Sequence, residues 1–167
     1  MTTIFRKDMD KVALFFQNAS LLNKRFGVVP LMYGSLGLEY ITGENLNSDD
    51  IDILIPKVYI RERWNELVAF LTSEGYALID EHEHTFEKDG EYYSYGFIED
   101  LVRFAGIRMG EIAQKCDNGV CFSVLSLPQY LRVYTASAKD GYRVNVRNKK
   151  DNDKIIFIKK RLDKDYS

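Results

Sequence analysis

The chain has 167 residues, 46% of them hydrophobic, with a formal net charge of −2 and a pI near 5.8. That is enough chain to bury one core without staples, and the acidic balance argues against tight nonspecific nucleic-acid binding, which needs a basic footprint. No stretch is long and apolar enough to span a membrane and no signal-peptide core opens the chain, so a single cytoplasmic domain over residues 1–167 is expected. Cys116 and Cys121 are the only cysteines. With no histidine cluster beside them, they read as reduced and structural.

Residues Asp8 to Arg25 carry Val12, Phe15, Phe16, Ala19 and Leu22 at helical spacing, and Gly27 is a stop signal. A strand is expected over Val28 to Tyr33. Ser35 then suits the N-cap of a short helix, Leu36 to Thr42, and Gly43, Asn45, Asn47 and Ser48 break that helix into a polar loop. A second strand, Asp50 to Ile55, is stopped by Pro56. Strand alternation sends Ile51, Ile53 and Ile55 to one face. Asp50 and Asp52 share the other face, roughly 6–7 Å apart.

After Pro56 a helix is expected over Val58 to Ser73, with Ile60, Trp64, Leu67, Val68 and Leu71 as its apolar stripe. Tyr76 to Lys88 reads as a strand, Asp89-Gly90 as a type I′ turn, and Glu91 to Phe104 as the partner strand, carrying Glu99 and Asp100. His82 and His84 alternate with Glu81 and Glu83. Without a third ligand at suitable spacing they read as a polar strand face rather than a metal site. Asn118-Gly119 marks another hairpin between Ile112–Lys115 and Val120–Leu125. Ser126 is an N-cap and Pro128 a first-turn residue of a helix whose buried side should be Leu127, Leu131, Tyr134 and Ala138. A last helix, Asp153 to Leu162, should bury Ile155, Ile156 and Ile158. Lys159, Lys160 and Arg161 would complement its C-terminal dipole.

The stretch from Leu31 to Pro56 has a chemical logic. Two carboxylates on one strand face repel each other, and a divalent cation with hard oxygen ligands, Mg²⁺, relieves that repulsion. Glycine lets backbone approach closely, and the free N–H groups at a helix N-terminus attract phosphate. A carboxylate pair beside a Gly34-Ser35 turn therefore suits a nucleoside triphosphate bound through Mg²⁺.

Gly34-Ser35, a short helix and then Asp50-Ile51-Asp52 in an apolar strand resemble the signature of the DNA polymerase beta-like nucleotidyltransferase superfamily. In size the chain is similar to the small stand-alone lincosamide and aminoglycoside nucleotidyltransferases. The resemblance covers the first third of the chain. It implies an α+β fold, a mixed β-sheet flanked by helices, and two Mg²⁺ ions held by Asp50, Asp52 and a third carboxylate. It further implies transfer of a nucleoside monophosphate, with ATP as the expected donor, to a hydroxyl of a small acceptor, releasing pyrophosphate. Gly34 and Ser35 would hold the β- and γ-phosphates. The superfamily places its third carboxylate, base and metal ligand, on the strand beside Asp-x-Asp. Glu99 or Asp100 would supply it, and alternation lets only one of them face the metals; Asp100 is the more usual residue type. Arg147-Asn-Lys-Lys-Asp resembles the basic start of the last helix in several small nucleotidyltransferases, where Arg147 or Lys150 would reach a phosphate. The C-terminal helical part, about 126–167, contains no dedicated acceptor domain. The acceptor is thus expected between the sheet and the helix after Ser126, or on a second subunit of a homodimer. The rival classes are a non-catalytic nucleotide-binding or antitoxin-like regulatory protein on the same fold, and a plain protein-interaction domain with a solvated Asp pair.

Overall fold

The computed structural model describes residues 2–139 and 146–166, with side chains over 11–139 and 150–164. Its elements are α1 (Thr2–Phe26), β1 (Leu31–Tyr33), α2 (Gly34–Thr42), β2 (Ile51–Ile55), α3 (Trp64–Ser73), β3 (Ala77–Asp80), β4 (Thr85–Lys88), β5 (Glu91–Phe97), α4 (Asp100–Ala105), β6 (Ala113–Asp117), β7 (Val120–Val124), α5 (Leu127–Lys139) and α6 (Val146–Tyr166). Single 3₁₀ turns, Lys57–Tyr59 and Met109–Glu111, precede α3 and β6.

The strands form one mixed sheet in the order β3-β4-β5-β2-β1-β7-β6. Only β2 with β5 and β1 with β7 run parallel; the other neighbours are antiparallel. This is the α+β architecture expected, a mixed sheet with helices on both faces. The alternation in β2 decides which face is which. Ile51, Ile53 and Ile55 pack with Phe15 and Leu22 of α1 and Leu67 and Leu71 of α3. Leu54 turns the other way, joining Leu101, Tyr130, Val133 and Ile158 from α4, α5 and α6. Asp52 shares the Leu54 face, so it points toward the C-terminal helices.

Several boundaries differ from expectation. The helix expected from Val58 begins only at Trp64, because Pro56 leads into a 3₁₀ turn and an irregular turn first. The strand expected over Tyr76 to Lys88 is two strands. His82 and His84 lie in the turn between them, and the His84 ring packs edge-on against Trp64 at 5.1 Å. The hairpin turns read from Asp89-Gly90 and Asn118-Gly119 are present, all four residues having positive φ, as a type I′ turn requires. Cys116 and Cys121 are not a pair of thiols. The Asn118-Gly119 turn sets them directly opposite in the β6–β7 register, and they form a disulfide. Reading the compartment from reduced cysteines loses its ground with them. No helix among the described residues is long and apolar enough to cross a membrane.

Ser126 does cap α5, and reciprocally: the Gln129 N–H donates to Ser126 Oγ at 3.3 Å and the Ser126 N–H donates to Gln129 Oε1 at 2.9 Å. The buried side of α5 is rotated from the expected one, however, to Gln129, Tyr130, Val133 and Ser137. Two of these are polar, which hid the stripe from a hydrophobicity count. In α6 only Ile158 of the three isoleucines is fully buried, and Ile156 is 53% exposed. Nor does Arg161 serve its own helix end. It reaches the α2 C-terminus, donating to the Thr42 carbonyl at 3.1 Å, and so ties the last helix to the turn-helix unit before β2.

The contact between α2 and α5 leaves no room at Gly37. A Cβ there would overlap the Tyr130 hydroxyl and the Met32 carbonyl. Helix propensity alone would make Gly37→Ala stabilising by about 1 kcal/mol; overpacking against a backbone carbonyl costs about 1–3 kcal/mol. Gly37→Ala is therefore expected to lower the urea midpoint. A raised midpoint would show that α2 does not sit this tightly on β1 and Tyr130.

Candidate functional site

The site starts from a pairing of neighbours. In the β1–β2 register Tyr33 lies opposite Asp52, so the residue after Tyr33 enters α2 directly beside that carboxylate. That residue is Gly34, at φ +64°, and a Cβ on it would come within 2.5 Å of Asp52 Oδ2. Glycine is required twice over, for the left-handed backbone and for the close approach. Tyr130, fully buried on α5, fixes this turn by donating its hydroxyl to the Gly34 carbonyl at 3.1 Å. Ser35 stands in the first turn of α2 rather than at its N-cap, which is Tyr33 and makes no side-chain cap bond. The Ser35 side chain instead hydrogen-bonds Tyr134.

The loop before β2 is held from two sides. Glu39 of α2 accepts the Ser48 N–H at 3.0 Å and the Ser48 hydroxyl. Lys11 of α1 donates to the Asp49 carbonyl at 2.8 Å and to Glu91 at 3.1 Å. Asp50 therefore sits just outside β2, at the bend before Ile51, rather than inside the strand.

These pieces border a cleft of about 370 Å³. Gly34, Ser35, Asp49, Asp50 and Asp52 line one wall; Tyr134, Ser137, Lys150, Asp151 and Lys154 line the other. Asp151 is only 5% exposed and accepts the Ser137 hydroxyl at 2.6 Å. Lys150 and Lys154, one helical turn apart on α6, have no hydrogen-bond or ion-pair partner among the described residues. Burial pushes the Tyr134 phenol well above its ordinary range, with Tyr33, Asp151 and Asp52 adding to the shift and the Ser35 hydrogen bond opposing it. Burial does the same for Tyr130, reinforced by Tyr134, Tyr33 and Asp52. Both phenols thus stay protonated beside the carboxylates and act as hydrogen-bond donors.

Of the sequence candidates, Gly34, Ser35, Asp50, Asp52 and Lys150 come together at this cleft. The Arg147 side chain lies outside the described residues. Glu99 and Asp100 are not on a strand at all, because β5 ends at Phe97. Glu99 stands at the N-cap position of α4 without a side-chain cap bond; its carboxylate instead accepts the Lys57 N–H at 2.9 Å, holding the turn after β2. Asp100 opens α4 and pairs with Arg103 at 2.9 Å. The β5 residue in register with Asp52 is Ser94. Asp100 borders a second groove that Asp52 also lines, on the β5 side. Tyr134, Ser137, Asp151 and Lys154 were missed. The signal for Lys154 was its i, i+4 spacing from Lys150, which puts both on one helix face. Nothing local marked Ser137 or Tyr134, whose distance from Asp52 along the chain is closed only by packing.

The carboxylates suit a divalent cation by their chemistry, two hard oxygen donors beside a helix start kept clear by glycine. Among the described residues, no group of three His, Cys, Asp or Glu side chains could hold a metal ion unaided. An ion here would complete its shell with substrate phosphates and water, as Mg²⁺ commonly does.

The architecture is a nucleotidyltransferase-like fold. A solution structure of the antibiotic-resistance factor ANT(2'')-Ia superposes with a TM-score of 0.54 over 95% of this chain and 94% of that one, at 15% identity. The chain belongs to the family of the uncharacterized protein YnaI of Bacillus subtilis (strain 168), to which it is 38% identical over 146 residues, 87% of this chain and 94% of YnaI. No family model matches.

The Gly34–Asp52 contact can be tested by a double-mutant cycle. Gly34→Ala should destabilise by roughly 1–2 kcal/mol through its backbone alone, and by more where Asp52 is present. In an Asp52→Ala background the penalty should shrink, a coupling of roughly 0.5–3 kcal/mol in denaturant melts. An unchanged penalty would show that the two side chains do not meet.

Proposed function

We propose that this protein is a Mg²⁺-dependent nucleotidyltransferase that moves a nucleoside monophosphate, with ATP as the expected donor, to a hydroxyl of a small acceptor. The observation that carries this reading is the cleft itself. One wall presents Asp50 and Asp52 against the start of α2; the other presents Lys150 and Lys154, cations with no partner among the described residues. Carboxylates on one side and ammonium groups on the other suit a metal-bound triphosphate, whose oxygens face both ways.

In this reading Asp50 and Asp52 hold the Mg²⁺ ions, which when bound would neutralise charge on the triphosphate and orient it. The N–H groups at Gly34 and Ser35 bind phosphate oxygens at the helix start. Lys150 and Lys154 draw the departing pyrophosphate toward α6. The acceptor hydroxyl forms its bond to the α-phosphorus as the bond to the bridging oxygen breaks. Its proton passes to a carboxylate on the acceptor side; Asp100 and Glu83 share a groove with Asp52, and Asp100 is the one the sequence pattern singles out.

A second reading has its own observation. Ser94 lies in register with Asp52 on β5, the neighbouring strand, on which the resemblance leads one to expect the third carboxylate. That favours a protein which binds Mg²⁺-nucleotide without transferring it.

Calorimetric titration with each nucleoside triphosphate, with and without Mg²⁺, checks the common ground. Asp52→Asn should abolish the Mg²⁺-dependent part of binding and leave the fold intact; an unfolded variant would make Asp52 structural. Pyrophosphate release with a panel of hydroxylated acceptors then separates the two readings. Asp100→Ala should lose about 10²–10⁴-fold in turnover with binding little changed. Nucleotide binding with no release for any acceptor supports the binder.

A further inference from the structure

A second groove opens on the other side of Asp52. Its inner part runs past Ser94 and Gly96 of β5 toward the turn carrying His82 and Glu83. Its outer part, about 620 Å³, is floored by Leu54, Gly96, Leu101 and Ala136, with Tyr33 and Phe104 on the side toward the first cleft. The two parts share Tyr33, Leu54, Gly96 and Asp100, so they form one continuous groove that ends on the Asp52 carboxylate. It is kept open by a missing side chain. A Cβ on Gly96 would come within 2.9 Å of Leu54 Cδ2 and would crowd the floor.

This inference rests on the reading above. In an in-line displacement the attacking and leaving oxygens lie on opposite sides of phosphorus. If the triphosphate leaves along the cleft toward Lys150 and Lys154, the acceptor must arrive from the far side of Asp52, which is the side of this groove. The groove's own chemistry then restricts what can arrive. Its outer floor is apolar, and Phe104 is 41% exposed at its edge. The outer part has one carboxylate, Asp100, already paired with Arg103 at 2.9 Å, and a further cation, Lys139. The inner part adds Asp52 and Glu83, so the negative charge lies at the inner end and the surplus cation at the outer end, an arrangement that suits an acceptor with one anionic group at its outer end.

We infer that the groove is the acceptor site and that the acceptor is a flat, apolar-faced hydroxyl compound carrying a single negative charge. Its ring lies over Leu54 and Gly96. Its anionic group faces Arg103 and Lys139, and its hydroxyl points inward at Asp52.

Hydroxynaphthoate serves as a fluorescent probe of this shape and charge, naphthol as its uncharged counterpart and kanamycin as a polycationic hydroxyl compound. Wild-type protein should bind hydroxynaphthoate, bind naphthol more weakly, and not release the probe to kanamycin. Ala136→Trp fills the groove from α5 without touching the first cleft. It should weaken probe binding by about tenfold or more while the Mg²⁺-ATP isotherm stays as in wild type. Equal affinity for naphthol overturns the charge assignment, and displacement by kanamycin overturns the acceptor class. Unchanged probe affinity in Ala136→Trp, or no probe binding by a protein that binds Mg²⁺-ATP, overturns the site. Absence of Mg²⁺-ATP binding in the wild type sinks the nucleotide reading instead, and the acceptor role with it.

Discussion

The site depends on one close approach, the start of α2 pressed against the Asp52 carboxylate. A helix start presents unpaired N–H groups, and a carboxylate near it is favoured by them. For the proposed function the same pair must admit a phosphate and a metal, which requires that no side chain stand between. Gly34 meets that condition, and the Tyr130 hydroxyl on the Gly34 carbonyl holds the turn where it is. The two walls of the cleft are therefore mechanically linked: Tyr130, which fixes the carboxylate wall, belongs to the helix that carries Tyr134 and Ser137 on the facing wall.

Around this contact the fold is organised as clamps. Arg161 ties α6 to the C-terminus of α2. Lys11 and Glu39 hold the loop that delivers Asp49 and Asp50. Ser137 holds Asp151 in the second turn of α6. Buried polar groups are costly when unpaired, and here they sit at the joins between elements, where pairing them also sets the geometry of the cleft. The α1 side of the sheet is different. It is a broad aromatic core of Phe15, Phe16, Tyr40 and Phe122 in edge-to-face contact, with Asn18 and Tyr95 sharing a buried hydrogen bond beneath α1. One face of the sheet supplies stability and the other carries the clefts.

The place of Ser94 sets the charge beside Asp52. A carboxylate there would stand directly beside Asp52 on the parallel neighbour strand. With serine in that position the charge density beside Asp52 is lower, and Asp100 reaches the area from a helix start instead of from the sheet.

Much of this was readable along the chain, because it depends on neighbours in sequence. Alternation in β2 separated Asp52 from Ile51 and Ile53. Asp-Gly and Asn-Gly fixed two hairpins through the positive φ that type I′ turns demand, and Ser126 marked the start of α5. Gly34, Ser35, Asp50 and Asp52 fall within one strand-turn-helix-strand stretch, so local rules sufficed to group them. Tertiary structure decided what local rules cannot see. Glu99 and Asp100 follow an apolar strand pattern, yet β5 ends at Phe97, its last residue in register with β2, and the chain turns into α4. The face of α5 was misread because Gln129 and Ser137 are buried by their partners rather than by hydrophobicity. Tyr134, Asp151 and Lys154 join the cleft only when α5 and α6 fold across the sheet. Apart from the i, i+4 spacing of Lys154 from Lys150, such residues carry no local signal, since their roles come from contacts between segments roughly a hundred residues apart along the chain, whereas sequence patterns report periods of two to four.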